Sequence, residues 1–179
     1  MNGDEKIGPL HAMPFMEPYI DFLERIAESY ISKVEPMVIL EVGVAYGYST
    51  RAFLRGLKKR KTQGKLYSID IDSFESLGWK PSPEIIGDWE FIEGDSRKVK
   101  WNKVIDILLI DGGHSYDCVK ADYRKFEPFV VSGGLIFMHD VTNQGYGVKD
   151  FWKEICYNKI ILPFNHTGFG IVNKIKQIK

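Results

Sequence analysis

The chain has few cysteines and no long apolar run. Only Cys118 and Cys156 carry thiols among its 179 residues, and their spacing matches no metal-binding motif. The first residues are polar and charged, without the apolar stretch of a signal peptide, and no apolar run approaches the roughly 20 residues that cross a membrane. These absences predict a cytoplasmic protein with two free thiols and no membrane partner.

The chain also lacks an excess of charge of either sign. Lysine plus arginine and aspartate plus glutamate each number 24, so the formal net charge is zero. Proteins whose main partner is nucleic acid usually carry a basic excess, so nucleic acid is not the expected partner. At this length one domain can bury a sizeable core. We expect a loose N-terminal arm over residues 1–15 and a single domain over residues 16–179.

Residues 38–50 form the most informative segment. Residues 38–42 are mainly apolar and β-branched, as expected for a strand that is covered on both faces. Gly43 and Gly47 follow, and glycines at such a turn let a ligand lie against the backbone. Ser49 or Thr50 can cap the next helix. A strand, a glycine loop and a helix start predict a site for a nucleotide-like ligand at the carboxyl edge of a sheet.

The spacing within this segment distinguishes between ligands. The dinucleotide pattern Gly-x-Gly-x-x-Gly is absent, which argues against a dinucleotide-dependent oxidoreductase. The segment instead contains Glu-x-Gly-x-x-x-Gly, with Glu41 two residues before the first glycine. A carboxylate at this place suits a cationic group, such as the ammonium of an amino acid, better than a diphosphate.

The other apolar runs alternate between helix and strand patterns. We predict helices over residues 16–33, 50–59, 115–129 and 147–155, and further strands over residues 65–70, 90–92, 104–110 and 135–138, with a turn at 132–134. Such alternation implies an α/β fold with a parallel, doubly wound sheet. The last two apolar runs, 160–164 and 169–172, are joined by too few residues for a parallel crossover, so they predict an antiparallel hairpin.

An acidic residue follows the second predicted strand. Asp70 stands 23 positions after Gly47 (70 − 47). In doubly wound folds an acid near that spacing accepts hydrogen bonds from ribose hydroxyls. The alternatives are that Asp70 caps a turn, or that Asp72 takes its place.

Acids and histidines also follow the fourth and fifth predicted strands. These residues are Asp111 and His114 after the fourth strand, and His139 and Asp140 at the end of the fifth. If the two strands are adjacent, the four side chains face one cleft. Two carboxylates with imidazoles indicate a divalent metal site or an acid–base pair. The alternatives are a helix cap at Asp111 and structural hydrogen bonds at the histidines.

The motif that starts at Glu41, together with Asp70 and the loop Gly94-Asp95-Ser96, resembles the class I S-adenosylmethionine-dependent methyltransferases over about residues 16–173. The resemblance implies a Rossmann-like sheet of seven strands, mostly parallel, with the C-terminal hairpin antiparallel. It implies S-adenosylmethionine as cofactor, with adenine held at the loop after the third strand. The implied cofactor-binding residues are Glu41, Gly43, Tyr46, Gly47, Ser49, Asp70, Asp95, Ser96 and Asp111.

The fourth and fifth strand ends resemble a subgroup of small-molecule O-methyltransferases, the catechol type and its macrocin and cephalosporin-biosynthesis relatives. In the catechol type, an Asp after the fourth strand and an acid–amide pair after the fifth bind magnesium, at positions that match Asp111, His139 and Asp140. His114 falls where a basic residue removes the substrate proton. His139 departs from the pattern, because imidazole suits transition metals better than magnesium. The metal could be Mg²⁺, Mn²⁺ or another ion, or there could be none.

The implied reaction is an in-line methyl transfer to a hydroxyl of a small molecule, with His114 and Asp111 as the catalytic residues. One alternative is a cofactor-binding module without turnover; another is methylation of a non-hydroxyl or macromolecular acceptor. Base-amine methyltransferases usually carry Asn/Asp-Pro-Pro-aromatic after the fourth strand, where this chain has Asp111-Gly-Gly-His. The segment before the first strand is short for a lid, so a second subunit of a homo-oligomer could help to close the pocket.

Overall fold

The computed structural model describes residues 17–77, 88–162 and 166–175, and the arm expected over residues 1–15 lies outside these ranges. Helices and strands alternate along the described part. The helices are α1 (Glu17–Ser29), α2 (Tyr48–Lys59), α3 (Tyr116–Phe126) and α4 (Val148–Glu154). The strands are β1 (Met37–Val42), β2 (Gly64–Asp70), β3 (Trp89–Glu93), β4 (Ile105–Ile110), β5 (Val130–His139), β6 (Asn158–Leu162) and β7 (Phe169–Asn173).

The strands form one seven-stranded sheet in the order β3-β2-β1-β4-β5-β7-β6. Strands β1 to β5 pair in parallel, whereas β7 runs antiparallel to both β5 and β6. The order reverses beside β1, because the chain moves outward to β3 and returns on the other side at β4. This confirms the predicted doubly wound, mostly parallel sheet with a C-terminal antiparallel hairpin. The carboxyl ends of β1 to β5 meet at one edge, where ligands bind in open α/β sheets.

Helices cover both faces of the sheet, which explains the apolar strands. All six residues of β1 and of β4 are buried. Successive residues of β1 point to opposite faces. Ile39 belongs to the buried cluster that includes Leu23 of α1 and Phe53 of α2, and Leu40 belongs to the cluster that includes Phe126 of α3. The central strands are therefore held from both sides, and their carboxyl ends are fixed relative to one another.

Strand β5 is longer than the sequence predicts. A turn is expected at residues 132–134, whereas β5 runs from Val130 to His139 without a break. Gly133 adopts a φ of 88°, and the pairing with β4 shifts between Ile105 and Ile107. The glycines therefore form an irregularity within the strand and not a turn before it. Helix α1 is shorter than predicted, because it ends at Ser29 and not at residue 33.

The structure bears on two sequence predictions, the one on the cysteines and the one on membrane spans. Both cysteines are free, with Cys118 half-buried and Cys156 exposed, as the sequence predicts. Within the described ranges, the helices are too short or too polar to reach across a bilayer.

Candidate active site

The glycine loop between β1 and α2 lies against the end of β4. Gly43 has a φ of 95°, and a Cβ there would stand 2.3 Å from the carbonyl oxygen of Asp111. This close approach between backbones requires glycine. Gly47, with a φ of 69°, is the N-cap of α2. The prediction that Ser49 or Thr50 caps α2 is wrong, because the helix begins before either residue.

Glu41 is fully buried in β1 and contacts the start of α2. Its Oε1 accepts a hydrogen bond from Ser49 Oγ at 2.5 Å, and its Oε2 accepts one from Thr50 Oγ1 at 2.7 Å. Ser68 Oγ of β2 also donates to Oε2, at 2.6 Å. Burial raises the pKa of Glu41 to about 7, although these hydrogen bonds favour the charged form. Glu41 lines neither cavity described below, whereas Ser49 lines the second.

Asp70 supports the backbone of the glycine loop. Its Oδ2 accepts hydrogen bonds from the N–H groups of Val44 at 2.7 Å and Ala45 at 3.2 Å, and its Oδ1 accepts one from the N–H of Asp72 at 3.0 Å. Ala45 has a φ of 46°, a left-handed conformation that costs a non-glycine residue about 1–2 kcal/mol. Strained backbone of this kind clusters at ligand sites. Asp70 itself lies on a cavity wall, as its predicted role requires.

The first cavity, of about 400 Å³, opens at the carboxyl ends of β1 to β4. Its wall consists of the four loops that follow these strands and one face of α3. The lining residues are Val42, Gly43, Val44, Ala45, Ile69, Asp70, Ile71, Asp72, Gly94, Asp95, Ser96, Arg97, Asp111, Gly112, Gly113, His114, Cys118 and Asp122. Five of the nine predicted cofactor-binding residues thus surround one space, whereas Glu41, Tyr46, Gly47 and Ser49 do not line it.

The loop after β3 has an arrangement that sequence reasoning did not anticipate. The guanidinium group of Arg97 donates a hydrogen bond to each carboxylate oxygen of Asp95. The distances from Nε to Oδ1 and from Nη2 to Oδ2 are both 2.8 Å. These hydrogen bonds lower the pKa of Asp95 to about 2. Ser96 Oγ donates to Oδ1 of Asp122 at 2.5 Å, and the Ser96 carbonyl accepts from Lys125 Nζ at 2.6 Å. The side chain proposed for adenine is therefore already paired with a cation.

Asp122 is a cavity residue that the sequence analysis did not single out. It lies on α3, is only 2% exposed, and lines the first cavity. A signal was present in the sequence. Cys118 and Asp122 are four residues apart on the predicted helix after β4, so they share the face that points to the sheet edge. Cys118 lies on the wall of the same cavity.

The second cavity, of about 510 Å³, adjoins the first beside the ends of β4 and β5. Three tyrosines and three histidines lie on its wall, and no lysine or arginine is among the described residues that line it. The lining residues are Gly43, Val44, Ala45, Tyr46, Tyr48, Ser49, Asp111, His114, His139, Asp140, Asn143, Tyr146, His166 and Thr167. The two cavities share the glycine loop, Asp111 and His114.

Four predicted site residues converge at this junction, and we call them the Asp–His cluster: Asp111, His114, His139 and Asp140. His139 Nδ1 lies 3.4 Å from Asp111 Oδ1 and 3.1 Å from Asp140 Oδ2. His114 Nε2 lies 3.1 Å from Asp140 Oδ2 and 3.7 Å from Asp111 Oδ1. The ring of Tyr146 stacks on that of His114, with centroids 4.4 Å apart. Strands β4 and β5 are neighbours, so the expected single cleft is present.

The charges of the Asp–His cluster balance one another. Hydrogen bonds to Asp111 and Asp140 raise the pKa of His114 to about 9. Burial disfavours the charged form of His139, but the two carboxylates outweigh burial and raise its pKa to about 10. Burial would likewise raise the pKa of each aspartate, and the histidines hold both values below the usual range instead. At pH 7, two imidazolium groups therefore face two carboxylates.

Three residues of the Asp–His cluster fit a divalent cation. Asp111, His139 and Asp140 each offer one ligand atom, and these atoms lie within 4.8 Å of one another. Two carboxylates and one imidazole suit Mn²⁺ and other transition metals better than Mg²⁺, which favours oxygen. Such an ion would have to displace the proton on His139 Nδ1, since only a neutral imidazole binds a metal.

The doubly wound sheet, the glycine loop after β1 and the acids after β2 and β4 define a class I S-adenosylmethionine-dependent methyltransferase domain. A family model described as a methyltransferase domain matches residues 40–141, and the chain belongs to this family. The family assignment confirms the resemblance drawn from the sequence.

Solved structures share the fold at low sequence identity. CalS11, a TDP-rhamnose 3′-O-methyltransferase of calicheamicin biosynthesis, is 16% identical, with a TM-score of 0.63 over 87% of this chain and 77% of CalS11. MycE, a methyltransferase of the mycinamycin pathway solved with Mg and S-adenosylhomocysteine, is 18% identical, with a TM-score of 0.59 over 96% of this chain and 52% of MycE.

A curated relative is also similar along nearly the whole chain. The uncharacterized protein y4gI of Sinorhizobium fredii is 22% identical over 192 residues, which include 95% of this chain. The chain spans about a fifth of the length of that relative, 21%.

Proposed function

We propose that this chain transfers the methyl group of S-adenosylmethionine to a hydroxyl of a small-molecule acceptor, at a site that also binds a divalent cation. The junction of the two cavities is the observation that carries this proposal. Gly43, Val44, Ala45, Asp111 and His114 line both spaces. A cofactor whose adenosyl part lies in the first cavity, with its methionyl end at the border with the second, would therefore meet an acceptor in the second cavity at the Asp–His cluster.

The polar groups of the first cavity suit S-adenosylmethionine. Asp70 lies on its wall at the end of β2, and a carboxylate can accept two hydrogen bonds from a ribose diol. The start of α2 borders the second cavity through Tyr48 and Ser49, and the positive end of a helix dipole favours a carboxylate such as that of the methionyl group. We assign Gly43, Tyr46 and Ser49 to the methionyl end, and the loop that contains Asp95 and Ser96 to the adenine end.

The reaction forms a bond between the acceptor oxygen and the methyl carbon and breaks the bond between that carbon and sulfur. The sulfur keeps the electron pair, and the acceptor hydroxyl must lose its proton. We assign this proton to His114 Nε2, because the His114 side chain is 39% exposed in the cavity region and that of His139 only 11%. Tyr146 packs against the His114 ring and fixes its plane.

The Asp–His cluster explains why a cation would matter for this step. While Asp111 and Asp140 face only imidazoles, His114 stays protonated at neutral pH and cannot accept a proton. A cation held by Asp111, His139 and Asp140 would supply positive charge in place of the imidazolium groups and lower the pKa of a bound hydroxyl. Mg²⁺ in MycE and the named hydroxyl acceptor of CalS11 support this proposal through the shared fold.

A calorimetric titration followed by a methyl-transfer assay tests the proposal. Titration with S-adenosylhomocysteine, with Mg²⁺, Mn²⁺ or EDTA present, measures cofactor binding. Methyl-labelled S-adenosylmethionine is then offered with hydroxylated acceptors and amine controls. Asp111→Asn should lower transfer by about 100-fold or more. Asp117→Asn is the matched control, because Asp117 follows the same loop but is exposed and lines neither cavity.

Two outcomes would contradict the proposal in different ways. Absence of binding to S-adenosylhomocysteine would mean that the first cavity does not hold this cofactor. Binding without transfer to any acceptor, and with Asp111→Asn equal to the unmodified protein, would favour the cofactor-binding module, in which the Asp–His cluster is a neutral structural unit.

A further inference from the structure

The wall of the first cavity contains a buried carboxylate that the proposed function does not use. Asp122 is 2% exposed, and its Oδ1 accepts the hydrogen bond from Ser96 Oγ. Its Oδ2 points toward Gly112, at 3.8 Å from the position that a Cβ on this glycine would occupy. Gly112 lines the same cavity and has no side chain to fill the space between Asp122 and a ligand.

The neighbouring groups match one edge of adenine. Within the described part of the chain, the backbone N–H of Ser96 donates to no protein group. The hydroxyl of Ser96 donates a hydrogen bond to Asp122, and the carbonyl oxygen of Ser96 accepts one from Lys125 Nζ. These two hydrogen bonds fix the position of Ser96. A fixed N–H donor beside a carboxylate acceptor complements a ring nitrogen beside an exocyclic amine.

Asp95 is the competing acceptor, and its surroundings make it less available. Both of its oxygens are engaged by the Arg97 guanidinium, and the Arg97 backbone N–H donates to Oδ1 as well, at 3.0 Å. From the residues that the structure describes, Asp122 accepts a single hydrogen bond, and its donor is an uncharged hydroxyl. A carboxylate with one free oxygen on a buried wall gains more from an amine donor than one already paired with arginine.

We infer that Asp122 of α3 recognises the 6-amino group of the cofactor's adenine, and that it is the residue that makes the site specific for this base. Asp95 instead orders the loop after β3 through Arg97, so that the Ser96 N–H faces the ring. This inference rests on the proposed function, since it requires S-adenosylmethionine in the first cavity.

The test compares two ligands, S-adenosylhomocysteine and its analogue in which hydrogen replaces the 6-amino group. The analogue keeps the ring nitrogens and loses only the amine. The unmodified protein should bind S-adenosylhomocysteine about tenfold more tightly than the analogue. In Asp122→Ala the ratio of the two dissociation constants should fall to near one. Because partial unfolding of a variant weakens both ligands by the same factor, the ratio of the two dissociation constants stays measurable in that variant.

Two control variants separate base recognition from a structural role. Asp95→Ala should keep the ratio of the unmodified protein. Ser96→Ala removes the hydroxyl contact with Asp122 and should weaken both ligands equally, without changing the ratio. A purely structural role for Asp122 predicts that Asp122→Ala behaves like Ser96→Ala.

Three outcomes would overturn the inference. If Asp122→Ala keeps the tenfold preference, the amine is recognised elsewhere, and loss of preference in Asp95→Ala would identify that acceptor. If the unmodified protein binds both ligands with equal dissociation constants, no residue accepts a hydrogen bond from the 6-amino group, although the proposed function stands. If the unmodified protein binds neither ligand, the proposed function itself fails.

Discussion

The carboxyl group of Glu41 joins three elements of the fold. It accepts hydrogen bonds from Ser49 and Thr50 of α2 and from Ser68 of β2, and Trp89 Nε1 donates to Ser68 Oγ at 2.9 Å. These partners are neutral, and a buried charge without a cationic partner is costly. Protonation of Glu41 is therefore favoured by folding, so this residue of the glycine motif acts on stability although it lines neither cavity.

Glu41 should make the free energy of unfolding depend on pH between about 4.5 and 7. Its pKa rises from 4.5 to about 7 on folding, so the folded state binds its proton more tightly. The stabilisation is complete below pH 4.5 and is lost as pH rises to about 7, by up to about 3 kcal/mol. Urea unfolding of the unmodified protein and of Glu41→Gln at pH 4.5 and pH 8 measures the difference between them. An equal pH dependence in both proteins would contradict this assignment.

Helices α1 and α2 approach closely at a glycine. A Cβ on Gly56 would stand 2.3 Å from the carbonyl oxygen of Glu24 and 2.6 Å from Cβ of Ala27. The two helices therefore pack backbone against backbone. Lys59 of α2 also forms a salt bridge with Glu24. This contact fixes α2, which begins directly after the glycine loop, against α1.

Gly56→Ala should destabilise the protein, opposite to the usual effect in a helix. Helix propensity alone favours alanine over glycine by about 1 kcal/mol. Here the added methyl group meets backbone that cannot move aside, and overpacking of this kind costs about 1–3 kcal/mol. Urea unfolding measures the change. Gly145→Ala is the control, because its Cβ would make only an ordinary contact at 3.5 Å, and it should stay within about 0.5 kcal/mol of the unmodified protein.

The cation site proposed at the ends of β4 and β5 predicts an order of metal affinities. The unmodified protein should bind Mn²⁺ more tightly than Mg²⁺, because His139 contributes a nitrogen ligand. His139→Asp replaces that nitrogen ligand with an oxygen ligand. It should lower the ratio of the Mg²⁺ to the Mn²⁺ dissociation constant by roughly tenfold. Calorimetric titration with each ion measures it. His166→Asp adds the same charge to the second cavity outside the cluster, and an equal shift there would contradict direct ligation by His139.

At the scale of the whole molecule, Glu41 and the two histidines of the Asp–His cluster change stability in the same direction as pH rises above 4.5. Glu41 loses its contribution as pH rises to about 7. His114 and His139 have pKa values raised from 6.5 to about 9 and about 10, so their contribution is complete below pH 6.5 and lost as pH rises through these values. Asp111 and Asp140 have lowered pKa values, so their contribution is lost only as pH falls below 3.8.

The metal-free protein should therefore be most stable at mildly acidic pH. We expect the midpoint of thermal unfolding in EDTA to be highest near pH 4–5 and to fall steadily toward pH 10. Replacing both histidines of the Asp–His cluster with asparagine should flatten the decline above pH 6.5. A midpoint that stays constant from pH 6.5 to 10 in the unmodified protein would show that the cluster does not hold two protons.

The sequence by itself determined the order of helices and strands, the antiparallel hairpin and the places of Asp70 and Asp111. These follow from local patterns: apolar runs, glycine turns and connections too short for a crossover. The parallel part of the sheet then brings the carboxyl ends of β1 to β5 to one edge, so the convergence of Asp111 with Asp140 was predictable from strand adjacency.

Only the tertiary structure decided which of these residues face a ligand. Glu41 meets Ser68, 27 positions away, and turns out to be buried among hydroxyls. Ser96 meets Asp122, 26 positions away on a different element, and together they form a wall that neither local pattern reveals. The charge state of the Asp–His cluster likewise depends on distances across β4 and β5. Burial and pKa arise from contacts between segments far apart in the chain, and these contacts exist only after the sheet has formed.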